Sequence, residues 1–353
     1  MESLDFNVIK ILGISAVASL IAILLAPLLI NFLYKYKLWK KTARQKAITG
    51  EDAIIFNQLH RERETKVPRM GGLLILITTV VVVFIFYLIS LVFPDSIFAG
   101  FNFFSRSQTW LPLFTFVIAC LVGLIDDILV VSSLGSYIGG GITFRTRLLI
   151  VSLLGLIGGS WFYYKLGWDI ISIPLIGHFS IGIFYIPLFI IVMVACWSSG
   201  VIDGLDGLAG GAFASIFGAF TIISFSQGKI DLATFCAVIT GTLLAFLWFN
   251  IPPARFYMSE VGILGITTTL SVVAFLTDSV FVLPIIGGLL VLESGSVMVQ
   301  LFSKKFRKKK IFLSTPIHHH FEAIGWPAYK VTMRFWVIGI VLAIIGVVIR
   351  LLN

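Results

Sequence analysis

Charge is what this chain lacks most. Only 12% of its 353 residues are Asp, Glu, Lys or Arg, 58% are hydrophobic, and the mean hydropathy is +1.04. A soluble domain carries about 25% charged and about 45–50% apolar residues. This composition cannot cover a globular surface with polar groups, so a soluble domain and intrinsic disorder are both excluded. Cysteine is scarce as well. Cys120, Cys196 and Cys236 each sit inside an apolar run, where they read as small core residues rather than a disulfide framework or a zinc site. No internal repeat is visible, which weighs against a transporter built from duplicated halves. The apolar runs do not alternate with polar residues, which weighs against a barrel. What remains is an all-α polytopic membrane protein forming one integral membrane domain over residues 1–353, with the lipid bilayer as its main solvent.

Crossing the hydrocarbon takes about 20 apolar residues. Ten runs qualify, roughly at Val8–Tyr34, Met70–Phe93, Trp110–Val131, Arg147–Tyr164, Ile181–Ser199, Leu208–Gln227, Leu232–Asn250, Val261–Asp278, Ser279–Phe302 and Phe335–Leu352. The first is too long for a signal-peptide core and lacks an obvious cleavage site, so it counts as a span. With ten spans, the loops after the odd-numbered helices hold 21 of the 26 Lys and Arg residues. The positive-inside bias therefore makes that side cytoplasmic and puts both termini outside. Residues 35–69 and 303–334 are the main cytoplasmic loops. The net charge of +9 has two readings, topology alone or an added attraction for anionic phosphates and lipid headgroups. Nucleic acid is not an expected partner.

Seventeen carboxylates are few, so their placement is informative. Asp126 and Asp127 fall near the cytoplasmic end of the third span, Asp203 and Asp206 between the fifth and sixth, and Glu260 at the start of the eighth. All five are expected at one membrane face. Acids bordering spans are costly and usually have a partner or a task. Asp206 ahead of an apolar run could be a helix cap, but five on one side is more than capping requires. Carboxylates beside basic loops suit Mg²⁺ and a phosphorylated substrate, since Mg²⁺ takes one or two carboxylates plus substrate phosphates. A proton pathway would put acids at mid-membrane, and only Glu293 comes near that position.

Two segments stand out. In Asp203-Gly-Leu-Asp-Gly-Leu-Ala-Gly-Gly211 the acids are three apart and share a face on a helical turn, while the glycines permit tight turns and close approach. In Ser314-Thr-Pro-Ile-His-His-His-Phe-Glu322, three of the five histidines stand together in a loop. Adjacent histidines do not readily give one zinc ion three ligands. Imidazoles that hydrogen-bond phosphate or sugar oxygens, or that shape the loop, are the two readings left.

The ordered set Pro68-Arg-Met-Gly-Gly72, Asp126-Asp127, Asp203-Gly-Leu-Asp-Gly-Leu208, Phe249-Asn250 with Pro253-Ala254, Glu293 with Gln300, Pro316-Ile-His-His-His-Phe-Glu322, Gly325-Trp-Pro327 and Arg334-Phe-Trp336 resembles the phospho-N-acetylmuramoyl-pentapeptide transferase family. That family belongs to the wider polyprenyl-phosphate N-acetylhexosamine-1-phosphate transferases. The likeness covers nearly the whole chain, and the triple histidine with Gly-Trp-Pro and Arg-Phe-Trp marks the muramoyl-pentapeptide branch.

The resemblance implies transfer of a phospho-sugar from UDP-N-acetylmuramoyl-pentapeptide to undecaprenyl phosphate, giving lipid I and UMP with Mg²⁺ at the cytoplasmic side of a bacterial inner membrane. It also implies a role in peptidoglycan synthesis, and a homodimer. By position, Asp126 or Asp127 becomes the base or orienting group for the lipid phosphate, Asp203 a uridine-side contact and Asp206 a catalytic-face acid. Asn250 and Gln300 match polar nucleotide-pocket positions, and Tyr257 an aromatic that stacks on uracil. His318, His319 and His320 fall on the histidine motif, Lys66 on the basic residue before Pro-Arg-Met-Gly-Gly, and Glu260 on the metal-binding aspartate.

The sequence departs from the family in several places. Glu260 is one methylene longer than the family's Asp, Gly200 replaces an Asn, and Val130 and Val131 follow Asp126-Asp127 where a Lys is usual. That last change leaves Arg145 or Arg147 to supply positive charge. These changes suggest a divergent member, altered donor choice or weakened activity. The rival readings are a sister transferase using UDP-N-acetylglucosamine and, from another class, a membrane transporter.

Overall fold

The computed structural model describes residues 3–41, 65–135 and 140–352. Most of the first expected loop, with Arg44, Lys46, Arg61 and Arg63, lies outside the described residues. Long apolar runs fold as helices because only internal hydrogen bonds satisfy a backbone in lipid. In chain order they are α1 (Ser3–Lys35), α2 (Gly72–Val92), α3 (Trp110–Ser132), α4 (Phe144–Ser160), α5 (Tyr185–Ser198), α6 (Leu208–Ser226), α7 (Ile230–Asn250), α8 (Ser259–Leu276), α9 (Gly288–Arg307), α10 (Ile317–Ala323) and α11 (Ala328–Leu351). A π-helical turn, Trp161–Lys165, extends α4.

Nine helices among the described residues are long and apolar enough to cross a membrane, against ten expected. The difference lies in the ninth run, expected over Ser279–Phe302. The chain makes a single helical turn at Leu283–Ile286, breaks at Gly287 and restarts as α9, whose last turn carries Lys304, Lys305 and Arg307. Glu293 and this basic end lower the apolarity of α9. Its course still runs the length of the bundle, because Glu293 reaches His318 beside the Asp203–Asp206 loop while Ile286 packs on Gly346 near the far end of α11.

The hairpin of β1 (Ile170–Ile173) and β2 (Gly177–Ser180) is antiparallel, with Ile170 opposite Ser180 and Ile173 opposite Gly177. It is the one piece of β structure among the described residues, in the connection between α4 and α5 of an otherwise helical chain. Pro174 cannot donate to a ladder and Gly177 has φ +128°, so the short β-branched stretch turns back on itself.

Helix α8 forms the axis of the bundle. Every residue from Ser259 to Leu276 is buried except Glu260, which is half-buried. A helix apolar all round belongs inside other helices, and α3 packs closely along it. At Gly123 an added Cβ would lie 2.6 Å from the Glu260 carbonyl carbon and 2.7 Å from Val261 Cα. The missing side chain is what brings the end of α3, with Asp126 and Asp127, against the start of α8. At the opposite end Phe162, Phe189 and Phe275 cluster, the last two stacked at 4.3 Å between ring centroids.

Both described ends of the chain gather at that opposite end. Lys10 in α1 bonds Asp231 at 2.9 Å and the Asn102 carbonyl at 2.7 Å. Arg350 in α11 donates to Ser279 Oγ and to the Thr277 carbonyl just past α8. The shared side of the termini, expected from the basic residues, is thus present in the packing.

Candidate active site

The site is assembled around the N-terminus of α8, where unsatisfied backbone N–H groups attract negative charge. Asp127 is fully buried and covers this end. Its Oδ2 accepts from Ser259 Oγ at 2.7 Å and from the Val261 N–H at 3.0 Å, and its Oδ1 accepts from Arg69 Nε at 3.1 Å. One helical position away, Asp126 faces the start of α4. Its Oδ1 accepts from the Ile142 N–H at 2.7 Å and pairs with Arg147 Nη2 at 3.0 Å. Asp126 Oδ2 is buried and makes no hydrogen bond.

Arg147 reaches both ways, and its Nη1 lies 2.5 Å from Glu260 Oε1. Asp203 accepts from the Ser259 N–H at 2.9 Å. Burial pushes the Asp203 carboxyl up to about 6, with Glu260 and Asp127 adding to the rise and Ser259 and Arg69 opposing it. Burial works against the charge on Arg69, but Asp127, Glu260 and Asp203 together hold its guanidinium above the ordinary value. Four carboxylates therefore sit in two neighbouring chains of contacts, Asp126–Arg147–Glu260 and Asp203–Ser259–Asp127–Arg69, gathered at the start of α8. They face two guanidiniums, a surplus of two negative charges.

Asp206 belongs to the same loop but turns inward. It accepts from the Ala254 N–H at 3.2 Å, and its carbonyl accepts from Thr332 Oγ1 at 3.2 Å. Asn250 is buried and fully engaged with backbone, accepting from Gly207 N–H at 3.0 Å and donating to the Phe256 carbonyl at 2.8 Å. Trp336 Nε1 donates to the Gly207 carbonyl at 3.1 Å. Gly207 has φ +79°, a conformation glycine accepts readily. Asn250, Thr332 and Trp336 thus hold the Asp203–Gly207 turn from α7 and α11.

The three histidines diverge. His318 is fully buried, its Nδ1 is 2.8 Å from Glu293 Oε2, and its Nε2 has no hydrogen-bond partner. His319 Nδ1 is 2.7 Å from Glu322 Oε2. The Nε2 atoms of both rings converge on Gly204, between the two aspartates of the loop. His320 points elsewhere and accepts from the Leu313 N–H at 3.3 Å. Gln300 also binds backbone, through Ile311 N–H at 2.9 Å and the Phe312 N–H and carbonyl at 3.0 and 2.8 Å, closing the loop after α9.

The main chain of Tyr257 pairs with Pro68 and Gly71, joining the Pro68–Gly72 segment to the site, and its side chain is half-buried. Lys66 is exposed. Gly200 packs on Ile263 so closely that a side chain there would strike it. Glu293, the one acid placed near mid-span, is the partner of His318.

The structure therefore brings Asp126, Asp127, Asp203 and Glu260 together, with His318 and His319 against the same loop. Arg69, Arg147 and Ser259 complete the network, though none stood among the residues singled out as the site. Arg147 had one sequence signal, as a cation able to replace the lysine expected after Asp127, and Arg145, its rival, is exposed. Among the described residues no three His, Cys, Asp or Glu side chains converge closely enough to hold a metal alone. The donor set fits a hard divalent ion in a different way. Its charge matches the surplus of two, and substrate phosphates would supply the remaining oxygen ligands.

Residues 109–278 match the family model for glycosyl transferase family 4. Over 342 residues the chain is 31% identical to a phospho-N-acetylmuramoyl-pentapeptide-transferase of Anoxybacillus flavithermus, covering 96% of this chain and 98% of that one. The enzyme of that name from Bacillus pumilus is 32% identical over 337 residues, with coverage of 94% and 95%. Its counterpart from Rickettsia massiliae is 32% identical over 306 residues, covering 80% of each chain.

Proposed function

Since this chain belongs to the phospho-N-acetylmuramoyl-pentapeptide-transferase family, we propose that its carboxylate end moves phospho-N-acetylmuramoyl-pentapeptide from the UDP-linked donor to undecaprenyl phosphate, forming lipid I and UMP. The protein is a multi-pass membrane enzyme, and the transporter reading is set aside. The side of the membrane follows from charge. Among the described residues, 17 of the 22 Lys and Arg lie at the carboxylate end, so that end faces the cytoplasm of the bacterial inner membrane, where the nucleotide is found.

In the reaction, an oxygen of the lipid phosphate forms a bond to the sugar-linked phosphorus of the donor. The bond from that phosphorus to the oxygen bridging the two phosphates breaks, and the electron pair leaves with UMP. Phosphoryl transfer of this kind depends on alignment and charge stabilisation. Bound Mg²⁺ would neutralise diphosphate charge, held mainly by substrate phosphate oxygens with one or two carboxylates from among Asp126, Glu260 and Asp203. Asp126 carries the one oxygen of the network that is buried and unpartnered, which suits it to orient the lipid phosphate or accept its proton. Arg147 and Arg69 are placed to balance phosphate charge. Asp127, with both oxygens bound, fixes α8 and Arg69. His318 and His319 hold the Asp203–Asp206 turn in position through Gly204.

The single observation that carries this reading is the four-carboxylate, two-guanidinium network at the start of α8. UMP release from UDP-N-acetylmuramoyl-pentapeptide and undecaprenyl phosphate, measured with and without Mg²⁺, tests it. Turnover should require the ion and should fall by at least ~10²-fold in Asp126→Asn. Turnover of UDP-N-acetylglucosamine in place of the muramoyl donor would transfer the assignment to the sister enzymes.

A further inference from the structure

At the end of the bundle opposite the carboxylates lies a second polar feature, a cavity of about 600 Å³ lined by Trp168, Asp169, Gln227, Lys229, Asp278 and Arg350. Its cations are arranged unusually. Lys229 Nζ donates to Gln227 Oε1 at 2.9 Å and to the Leu276 carbonyl at 2.6 Å. Arg350 donates through Nε to Ser279 Oγ and through Nη2 to the Thr277 carbonyl, both at 3.3 Å. Both are thus held against the C-terminal end of α8, and among the described residues neither makes a salt bridge with a carboxylate. Arg350 Nη1 and the remaining Lys229 donor are left for the cavity.

Burial lowers the Lys229 pKa, and the nearby Arg350 charge lowers it further against the pull of Asp278. Asp278 lines the same cavity and is held by Ser172, accepting from its N–H at 3.1 Å and from its Oγ. Helix capping accounts for each cation separately. It does not account for a cavity that gathers two cations, neither in a salt bridge among the described residues, with the carboxylates of Asp169 and Asp278.

A lining of two cations and two carboxylates suits a ligand that carries charge of both signs. On the rim, Asp169 is half-buried, and among the described residues its carboxylate accepts only from Ser180 Oγ at 2.7 Å, which leaves its other oxygen able to receive a cation. Trp168 forms an aromatic wall with Lys229 6.0 Å from its ring centroid. Around this opening the surface is apolar, with Tyr164, Leu166, Ile170, Val348, Leu351 and Leu352 exposed, as expected of groups facing acyl chains. Amphipathic aromatics such as Trp also sit at the headgroup level of a bilayer.

We propose that this cavity binds the headgroup of a zwitterionic glycerophospholipid carrying a primary ammonium. Its phosphate sits between Lys229 and Arg350, its ammonium on Asp169, and its acyl chains lie along the apolar rim. The site is separate from the transferase chemistry and does not depend on it.

The experiment is native mass spectrometry of the full chain released from nanodiscs containing equal parts phosphatidylethanolamine, phosphatidylglycerol and phosphatidylcholine. Phosphatidylethanolamine should be retained preferentially. Lys229→Gln with Arg350→Gln should lower that retention about tenfold or more, the scale of losing charge-assisted hydrogen bonds. Asp169→Asn, on the rim and free of helix-capping duty, should abolish the preference over phosphatidylglycerol while leaving phosphate-dependent binding. Its thermal unfolding should match the parent, which separates loss of binding from loss of fold. Equal retention of the three lipids, or retention unchanged in these variants, would overturn the proposal. So would displacement by millimolar free phosphoethanolamine, which would mark the ligand as a soluble solute.

Discussion

Gly204 offers a sharp test of how the histidines act. A Cβ built there would stand 2.8 Å from His318 Cε1 and 3.2 Å from His319 Nε2, with His318 Nε2 nearer still. Ordinary carbon–carbon contact needs about 3.5 Å, so Gly204→Ala must open a gap of about 0.7 Å or more. Neither ring can yield cheaply, because His318 is fixed by Glu293 at 2.8 Å and His319 by Glu322 at 2.7 Å. The displacement therefore falls on the loop carrying Asp203 and Asp206. Overpacking of this kind costs about 1–3 kcal/mol in stability, and misplacing a reacting group by 1 Å can cost about 10²-fold in rate. The φ of Gly204 is outside the left-handed region, so alanine probes contact rather than backbone strain. UMP release should fall by roughly 10- to 100-fold in Gly204→Ala. In a His318→Ala background, where the obstructing ring is gone, the same substitution should cost much less. A Gly204→Ala enzyme within twofold of the parent rate, or an equal loss in both backgrounds, would refute positioning through this contact.

Three further outcomes follow from the network. Arg147→Gln leaves Asp126 and Glu260 without their shared cation and should lower UMP release by about 10²- to 10³-fold; Arg147→Lys should recover only part, since an ammonium lacks the fork that reaches two carboxylates. The Asp203 carboxyl is pushed up to about 6, so the transfer rate should rise as pH increases through that value, and the pH–rate profile of Asp203→Asn should show a smaller or shifted step, with the remainder carried by the other carboxylates of the site. The folded state favours protonated Asp203, and its raised pKa means this stabilising contribution is present at acid pH and lost as pH rises from the ordinary carboxylate value through about 6. Asp203→Asn should therefore gain thermal stability relative to the parent above pH 6 and lose that advantage near pH 4. Gly123→Val would push α3 from the backbone of Glu260 and Val261, 2.6 to 2.7 Å from the added Cβ, and should abolish activity, with reduced thermal stability as the accompanying sign of helix separation.

The sequence by itself determined the membrane character, most of the spans and the shared end of the acids. These are local properties. A run of about 20 apolar residues has the length of the hydrocarbon core whatever it packs against, and once direction alternates, each residue's end of the bundle is fixed. Gly287 broke the ninth span without a signal in composition, because whether a glycine interrupts a helix depends on its neighbours in space.

The family of the chain was also legible, in motifs from Pro68 to Trp336. What each motif residue touches was decided by tertiary structure. Asn250 and Gln300, singled out for a nucleotide pocket, hydrogen-bond backbone turns. The three adjacent histidines part toward Glu293, Glu322 and Leu313. Arg147 reaches Glu260 across 113 positions of sequence, and Asp127 meets Ser259 across 132. Asp127 meets Ser259 because Gly123 lets α3 lie against α8, and the energy of a buried charge depends on which partner such packing delivers.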